Sequence, residues 1–190
     1  MDSVASAAVS PSIEEFDRYF MGLALSEARR SAAEGETPLG CVIVEPAVLE
    51  PAHDGVAPVF DWDVHNARIL GRGRNATEGL QDATAHAEML AIGAASAARG
   101  SWRLSGARLY VTKEPCPMCA GAISLSRLDS VIWGAADPKR GGETVFGILS
   151  SPGMNHRPET RGGVRDGESL ELLRGFFRER RGERRVSAVP

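Results

Sequence analysis

The sequence lacks an apolar run long enough to cross a bilayer, and it lacks the basic start and long apolar stretch of a secretory signal. We therefore expect no membrane partner, and we expect residues 1–11 to form a short flexible tail. Cysteine is also scarce: there are three, an odd number, and two of them form a Cys-x-x-Cys pair. This usage is typical of thiols that stay reduced, so the sequence favours a cytoplasmic location.

A strong net charge is absent as well, since the 190 residues carry a formal charge of −3. That value alone does not suggest a nucleic-acid partner. The charge is unevenly spread, however, because residues 155–190 hold nine Arg against six acidic residues. A basic end of this kind is typical of segments that contact phosphates.

Helical and strand patterns alternate along the chain, which predicts one α/β domain over residues 12–182 with a flexible tail at 183–190. Hydrophobic residues make up 43% of the sequence, enough for an ordinary core. Ser12 is predicted to cap the first helix, which Gly35 ends, and Thr84 is predicted to cap another that runs to about Ala98. The other predicted helices are 116–125 and 169–181, and the predicted strands are 39–44, 67–74, 108–112 and 130–134.

Residues 45–66 contain three Pro, one Gly and several acids. A tight hairpin needs only about two to five connecting residues, so this segment is too long for one. It is predicted to be a surface insertion loop, and no role is assigned to it. Residues 141–167 are also predicted to be rich in loops.

Two short motifs carry the chemistry: His-Ala-Glu at residues 86–88 and Pro-Cys-Pro-Met-Cys at residues 115–119. Thiolates and a neutral imidazole suit zinc, and three such ligands leave the fourth position of a tetrahedral site to water. His-x-Glu followed by Pro-Cys-x-x-Cys is the signature of zinc-dependent nucleobase deaminases. His86, Cys116 and Cys119 are therefore predicted to bind one Zn²⁺ per chain, and Glu88 is predicted to be the catalytic proton carrier.

The spacing of these residues predicts how they meet. Cys116 and Cys119 are three apart, so they share a face when they lie on one helix. His86 and Glu88 are two apart, and they flank one object only in the first turn of a helix. We infer that two helices present their N-termini to one zinc, where the positive end of a helix favours the thiolate form. Zinc lowers the pKa of its water toward roughly 7, and Glu88 then moves the proton to a ring nitrogen.

Other interpretations of the cysteines are weaker. Cys41 offers a fourth ligand for a closed structural site, but it lies in the apolar run 39–44, where a small buried residue is the usual occupant. A redox pair does not need His-x-Glu. A non-catalytic RNA-binding subunit with a structural zinc is a further alternative, and Glu88 argues against it because a scaffold needs no proton carrier.

Longer stretches of the sequence resemble bacterial tRNA-specific adenosine deaminases, within the cytidine deaminase-like superfamily. The zinc motif alone specifies only the superfamily. The Met-Asn-His-Arg segment at 154–157 and the Phe-Phe-Arg ending at 176–178 narrow the resemblance. It runs from about residue 20 to residue 181, interrupted by the insertion, and its main stretches are 84–90, 109–126, 134–141, 152–157 and 176–181.

This resemblance implies a three-layer α/β/α fold with a mixed five-stranded sheet, and it implies a homodimer. The implied reaction is hydrolytic deamination of adenosine to inosine at the wobble position of tRNA, with the anticodon stem-loop as partner. The adenine is flipped into the zinc pocket. By motif position, the resemblance assigns the metal to His86, Cys116 and Cys119 and the proton transfer to Glu88.

The resemblance also implies contacts with the substrate. Asn75 matches an Asn that contacts the target base, and its alternative role is that of a turn residue. Ala87, between the zinc ligand and the proton carrier, is also expected to contact the substrate. Asp137 matches an anticodon-loop contact, with a cap or a turn formed with Pro138 as the alternative, and Lys139 either meets phosphate or is simply solvated.

Residues nearer the C-terminus complete the predicted RNA surface. His156 and Arg157 are expected to shape the RNA groove, with a structural histidine as the alternative. At least one of Phe176 and Phe177 is expected in the core. An Arg-rich helix end beside aromatic residues holds splayed bases and phosphates, unless the arginines form only a solvated face. The substrate-binding residues predicted on this last helix are Phe177, Arg178 and Arg181.

Two features depart from the family pattern. The insertion at 45–66 has no counterpart in the compact bacterial form, and Lys113 stands where an apolar residue is common, next to the catalytic helix. Both leave the RNA target open. The alternative function is deamination of a free base or nucleoside, of the guanine or cytosine type, which uses the same zinc site but has no use for a basic end.

Overall fold

In the computed structural model of this chain, the backbone is described for residues 12–186 and the side chains for residues 12–182. The tail predicted at residues 1–11 lies outside the described residues, as do the last four residues of the tail predicted at 183–190. The elements are α1 (Ile13–Ala33), β1 (Gly40–Glu45), β2 (Ala47–Glu50), β3 (Val59–Asp61), β4 (Arg68–Arg74), α2 (Thr77–Leu80), α3 (Ala87–Arg99), β5 (Arg108–Lys113), α4 (Pro117–Leu125), β6 (Ser130–Ala135), β7 (Glu159–Arg161) and α5 (Asp166–Val186).

A five-stranded sheet in the order β4-β1-β5-β6-β7 forms the centre of the fold. Strand β1 is antiparallel to both β4 and β5, whereas β5, β6 and β7 run parallel. The two parallel crossovers pass through α4 and through the long segment before β7. The predicted mixed five-stranded sheet is therefore confirmed.

Strand residues alternate between the two faces of this sheet, as the pleat requires. On one face, Cys41, Ile43 and Val111 pack in a core cluster with α3 and α4. On the other face, Val42 and Tyr110 pack in a second cluster with α1. The layers are thus helix, sheet and helix, which confirms the predicted three-layer architecture.

Glycines let α3 lie directly on strand β4. A Cβ on Gly73 would lie 2.1 Å from the carbonyl oxygen of Ala87, and one on Gly71 would lie 2.4 Å from that of Ala91. No side chain fits in such gaps. This close approach fixes the start of α3, and with it the His-Ala-Glu motif, against the sheet.

The ends of α1 follow the sequence prediction. Ser12 accepts a hydrogen bond from the backbone N–H of Glu15 at 3.2 Å, and the Glu15 carboxylate accepts one from the backbone N–H of Ser12 at 3.0 Å. This reciprocal pair is a capping box. Gly35 follows the helix with φ +79°, a conformation that glycine adopts without strain.

Residues 45–66 are more ordered than the predicted loop. They contain a two-stranded antiparallel sheet, β2 and β3, joined by a turn at Asp54 and Gly55. Trp62 then packs its ring edge-on against Phe16 of α1, with ring centroids 5.3 Å apart. The prediction of a loop was therefore wrong for two short strands, because the Pro-rich, acidic composition of the segment is typical of loops. Apolar residues of these strands, such as Val48 and Val59, are exposed.

Three further boundaries differ from the prediction. His86, not Thr84, occupies the N-cap of α3, and the Thr84 hydroxyl instead donates to Asp82 at 2.7 Å. Helix α5 begins at Asp166 and continues to Val186, so it extends beyond both predicted ends. A short strand, β7, lies in the segment predicted as loops. No helix within residues 12–186 is long and apolar enough to span a membrane.

Candidate active site

The two chemical motifs meet at one edge of the sheet. Strands β5 and β6 are parallel neighbours, and Lys113 pairs with Ala135 at their carboxyl ends. We call this the catalytic edge, and we call the end marked by Arg108 and Ser130 the opposite edge. Because the chain leaves β5 directly into α4, the Cys-x-x-Cys motif necessarily lies at the catalytic edge. In open α/β sheets this is the edge at which ligands bind.

Two helix N-termini converge on the predicted metal site. His86 is the N-cap of α3 and Cys116 is the N-cap of α4, with Pro117 in the first turn. The Nδ1 atom of His86 lies 3.5 Å from the Sγ atoms of both Cys116 and Cys119. A tetrahedral zinc with ordinary Zn–N and Zn–S bonds separates such atoms by about 3.5 Å. The donor set and its spacing therefore fit zinc.

The two thiols share their protons unequally. A hydrogen bond from Cys119, together with a hydrogen bond to His86 and the charge of that imidazole, lowers the pKa of Cys116 to about 4. The hydrogen bond to Cys116 and burial raise the pKa of Cys119. The pair therefore favours one thiolate and one thiol. A metal cation bound between them displaces the remaining proton, so that both sulfurs bind it as thiolates.

Glu88 lies in the first turn of α3, and only 4% of it is exposed. Burial raises the pKa of its carboxyl, and the negative Cys116 adds to that effect. A carboxyl whose pKa is raised holds a proton more readily than an ordinary carboxylate does, which suits a proton carrier.

Cys41 does not join this cluster. Among the described residues, the group with metal-ligand spacing consists of His86, Cys116 and Cys119, all within 4.8 Å of one another. Cys41 is fully buried in the core, and burial raises the pKa of its thiol well above the ordinary value. The alternative of a closed four-ligand site is therefore not supported, and the three ligands leave one position of a tetrahedral ion open.

A small cavity of about 150 Å³ opens beside these residues. It is lined by the predicted ligands His86 and Cys116, by Glu88, and by charged residues that follow the two strand ends, of which Lys113 is partly exposed and Arg140 is exposed. The whole lining is Leu39, His86, Glu88, Val111, Lys113, Glu114, Cys116, Asp137 and Arg140. Of the residues predicted to contact substrate, the structure brings Asp137 into this lining.

Asn75 lies next to the cavity and is almost fully buried. Its backbone N–H donates to the carbonyl oxygen of Leu39, which lines the cavity, at 3.0 Å. Its side-chain amide donates to the carboxylate of Glu36 at 3.0 Å and to the Thr77 hydroxyl at 2.9 Å. Glu36 also accepts from the backbone N–H of Gly79 at 2.7 Å. Sequence reasoning missed Glu36, because its partners are about forty residues away along the chain.

Glu114 is a second residue that sequence reasoning missed. Its buried carboxylate accepts hydrogen bonds from the backbone N–H groups of Asp137 at 2.8 Å and Thr144 at 2.7 Å. A Cβ on Gly141 would lie 2.3 Å from it. Glu114 therefore ties the 137–144 loop to the turn that carries the zinc motif. In the sequence, only its position directly before Pro115 of the zinc motif indicates that Glu114 lies near the site.

The other predicted substrate residues are not part of the cavity lining. His156 and Arg157 line a larger cavity at the opposite edge, and His156 Nε2 is 2.6 Å from the carbonyl oxygen of Leu128, as a structural histidine would be. On α5, Phe176 is buried, as expected, and Phe177 is 44% exposed. Arg178, Arg181 and Lys139 are exposed, and Ala87 is buried at the start of α3.

Known proteins share both the fold and the sequence of this chain. The family described as the cytidine and deoxycytidylate deaminase zinc-binding region matches residues 14–135, which include the three ligands and Glu88. The tRNA-specific adenosine deaminase of Bacillus subtilis is 40% identical over 172 residues, 90% of this chain and 94% of that protein. The tRNA-specific adenosine deaminase of Agrobacterium fabrum is 43% identical over 164 residues, 86% of this chain and 95% of that protein.

Solved structures of deaminases also match this chain, and the match to a tRNA deaminase has the higher sequence identity. A structure from a study of A-to-I editing by tRNA A34 deaminases is 40% identical, with a TM-score of 0.67, and the match covers 82% of this chain and 99% of that one. A guanine deaminase from Nitrosomonas europaea is 19% identical with a TM-score of 0.64, covering 93% and 97%, which is a likeness of fold alone. The chain is therefore a zinc-dependent deaminase and belongs to the family of tRNA-specific adenosine deaminases.

Proposed function

We propose that this enzyme deaminates adenosine to inosine at the wobble position of tRNA, the A34 position on which the similar solved deaminase acts. The observation that carries the proposal is the cluster of His86, Cys116 and Cys119 beside the buried carboxylate of Glu88. The choice of substrate is supported by the 40–43% identity to tRNA-specific adenosine deaminases over most of both chains.

The roles of the residues follow from their positions. His86, Cys116 and Cys119 would hold the metal, and bound zinc acidifies a water molecule, which supplies the nucleophile of hydrolytic deamination at neutral pH. Glu88 takes the proton of that water and delivers it to the purine ring, then assists the departure of ammonia. Burial raises the pKa of its carboxyl, which favours the proton-bound form between the two steps.

The substrate contacts divide between the base and the rest of the RNA. The cavity of about 150 Å³ has room for one nucleobase, so we propose that the adenine enters it unstacked. Asn75 and Ala87 would contact the base, and Asp137 and Lys139 its flanking backbone. His156, Arg157, Phe177, Arg178 and Arg181 would contact parts of the stem-loop farther from the zinc.

Three further expectations belong to this proposal. The enzyme acts as a homodimer, it works in the cytoplasm where tRNA is modified, and residues 12–182 form a single deaminase domain. The deep packing of α1 and α5 against one sheet supports the last of these. Size-exclusion chromatography with light scattering would measure the oligomeric state.

The alternative is a deaminase of free guanine or cytosine. The guanine deaminase fold is nearly as similar as that of the tRNA enzyme, so fold alone does not separate the two. The zinc-loaded protein should be incubated with anticodon stem-loops, adenosine, guanine and cytosine, and inosine and ammonia release measured. Inosine from a stem-loop supports the proposal. Ammonia from guanine or cytosine, with an untouched stem-loop, would replace it with the alternative.

A further inference from the structure

The entrance of the zinc cavity carries an ion pair between Lys113 and Asp137. Lys113 is the last residue of β5, and Asp137 follows the end of β6, the parallel neighbour. The Lys113 ammonium contacts Asp137 Oδ2 directly. The side chain of Lys113 is 33% exposed and that of Asp137 is 13% exposed, so the pair lies at the boundary between cavity and solvent.

The two oxygens of Asp137 have separate partners. Oδ1 accepts from the backbone N–H groups of Lys139 and Arg140, each at 3.1 Å, which closes a turn. Oδ2 is left for Lys113. The two backbone hydrogen bonds to Oδ1 already orient the carboxylate. The ion pair with Lys113 is therefore not required to form the turn, and it brings a positive charge to this position. Asp137 is thereby neutralised at the position where an incoming polynucleotide would meet it.

The size of the cavity decides what reaches this pair. Its volume of about 150 Å³ admits a base, so the sugar and the flanking phosphates stay outside, beside Lys113, Asp137 and Arg140. An unpaired carboxylate there would repel phosphate, whereas Lys113 offsets the charge of Asp137 and Arg140 adds a second cation. The buried Glu114 carboxylate faces backbone N–H groups of the neighbouring loop. Free bases carry no phosphate and gain nothing from these two cations.

The choice of lysine supports a mobile role. The sequence contains two lysines, Lys113 and Lys139, and all other basic side chains apart from histidine are arginine. An arginine would bind the carboxylate with a rigid two-pronged fork, whereas a lysine ammonium is a point charge on a flexible stem with three donors. Lys113 is therefore able to contact Asp137 and a phosphate at the same time.

We propose that Lys113 is a specificity-determining residue, whose ammonium binds a phosphate next to the reacting nucleotide while it remains paired with Asp137. This inference rests on the proposed action on RNA and deepens it. It makes the preference for a polynucleotide over a free nucleoside a property of the cavity entrance, in addition to any basic surface elsewhere on the chain.

The test is the salt dependence of stem-loop binding, measured by fluorescence anisotropy with the zinc-loaded Glu88→Ala protein, in which turnover is blocked. Loss of one phosphate contact in a single-stranded loop lowers the slope of log Kd against log salt by about 0.7. Lys113→Met should show that change with a Kd raised by roughly fivefold, as for one exposed ion pair. Lys113→Arg, which keeps the charge, should keep the slope. Arg68→Met, which removes an exposed cation paired with Glu45 on the outer strand β4, is the matched control and should leave it unchanged.

Activity gives a second measurement in the otherwise native enzyme. Lys113→Met should raise KM for the stem-loop and leave kcat unchanged, because the lost contact is not made by reacting atoms. An unchanged slope, or a loss confined to kcat, would overturn the inference while the proposed function stands. A native enzyme that neither binds nor deaminates the stem-loop would overturn both.

Amine labelling of the native protein tests the contact without any substitution. An acylating reagent has only Lys113, Lys139 and the α-amino group as amine targets, and mass spectrometry separates them. Bound stem-loop should protect Lys113 from acylation, and free adenosine should not. Equal labelling of Lys113 with and without the stem-loop would refute the phosphate contact.

Discussion

The two ends of the central sheet carry cavities of opposite character. The catalytic edge has the smaller one, about 150 Å³, with two helix N-termini, two thiols and a buried carboxylate of raised pKa. The opposite edge has one of about 560 Å³, walled by Phe60 and Trp62 of the insertion. The larger cavity is therefore not the one that holds the predicted metal site. The chemistry lies where unpaired helix ends and strand carboxyl ends meet.

The charged groups at the two edges also differ in how they are used. At the opposite edge, Asp17 accepts from Arg108 at 3.1 Å, from Tyr110 at 2.8 Å and from Arg161 at 3.0 Å. Among the described residues this network leaves no buried side-chain polar atom without a partner, and it ties α1 to strands β5 and β7. At the catalytic edge, by contrast, the pKa of Cys116 is lowered and those of Cys119 and Glu88 are raised by their mutual contacts and by burial. We infer that the Asp17 network at the opposite edge stabilises the fold, and we propose that the reaction takes place at the catalytic edge.

The largest effect that separates the edges is loss of the metal. Cys116→Ser should lose zinc and abolish deamination, because serine is a poor zinc ligand. Cys41→Ala is the matched control: it removes a buried thiol outside the cluster and should retain about one zinc per chain. Metal content by mass spectrometry measures both. Loss of zinc from Cys41→Ala would mean that Cys41 is a ligand and that the site is closed.

Removal of the proton carrier should come next. Glu88→Ala should keep about one zinc per chain and lower kcat by about 10²- to 10⁴-fold, the range of positioned acid–base groups. Glu78→Ala, an exposed carboxylate in α2, serves as control and should deaminate at the native rate. Activity retained by Glu88→Ala would remove it from the mechanism, and loss of zinc would make it a structural residue.

At the opposite edge, Asp17→Ala should affect stability and leave the chemistry intact. The substitution leaves Arg108 buried without its carboxylate, so the free energy of unfolding should fall by about 3–5 kcal/mol. Urea denaturation measures that loss, while zinc content and kcat at low temperature should stay native. A stable Asp17→Ala protein with impaired kcat would contradict the division between the edges.

The smallest expected effect concerns the last helix. Arg178 and Arg181 are exposed and far from the cavity, so the Arg178→Met/Arg181→Met protein should bind free adenosine as before. If both arginines contact stem phosphates, the slope of log Kd against log salt should fall by roughly 1.8 for duplex RNA. Anisotropy titrations at several salt concentrations give the slope. No change would leave these arginines as a solvated face.

Features set by neighbouring residues were predictable from the sequence, whereas features set by contacts between distant residues were not. The convergence of His86, Cys116 and Cys119 beside Glu88 was predictable because motif spacing and helix geometry act over a few residues. The hairpin of the insertion was not, because Trp62 holds it through contact with Phe16, a residue far away along the chain. Thr84 was a reasonable cap by residue type, but the Asp82 side chain takes its hydroxyl. Glu36 and Glu114 act through backbone groups that only the folded chain brings to them.

The reaction proposed for the catalytic edge is the conversion of adenosine to inosine in a tRNA anticodon. Its most direct test is to incubate zinc-loaded protein with an unmodified tRNA that has adenosine at position 34, and to map inosine by reverse transcription, which reads it as guanosine. We expect conversion at position 34 alone, and conversion at least about 10²-fold slower with Glu88→Ala. An unconverted tRNA, with ammonia released from free guanine or cytosine by the same preparation, would contradict it.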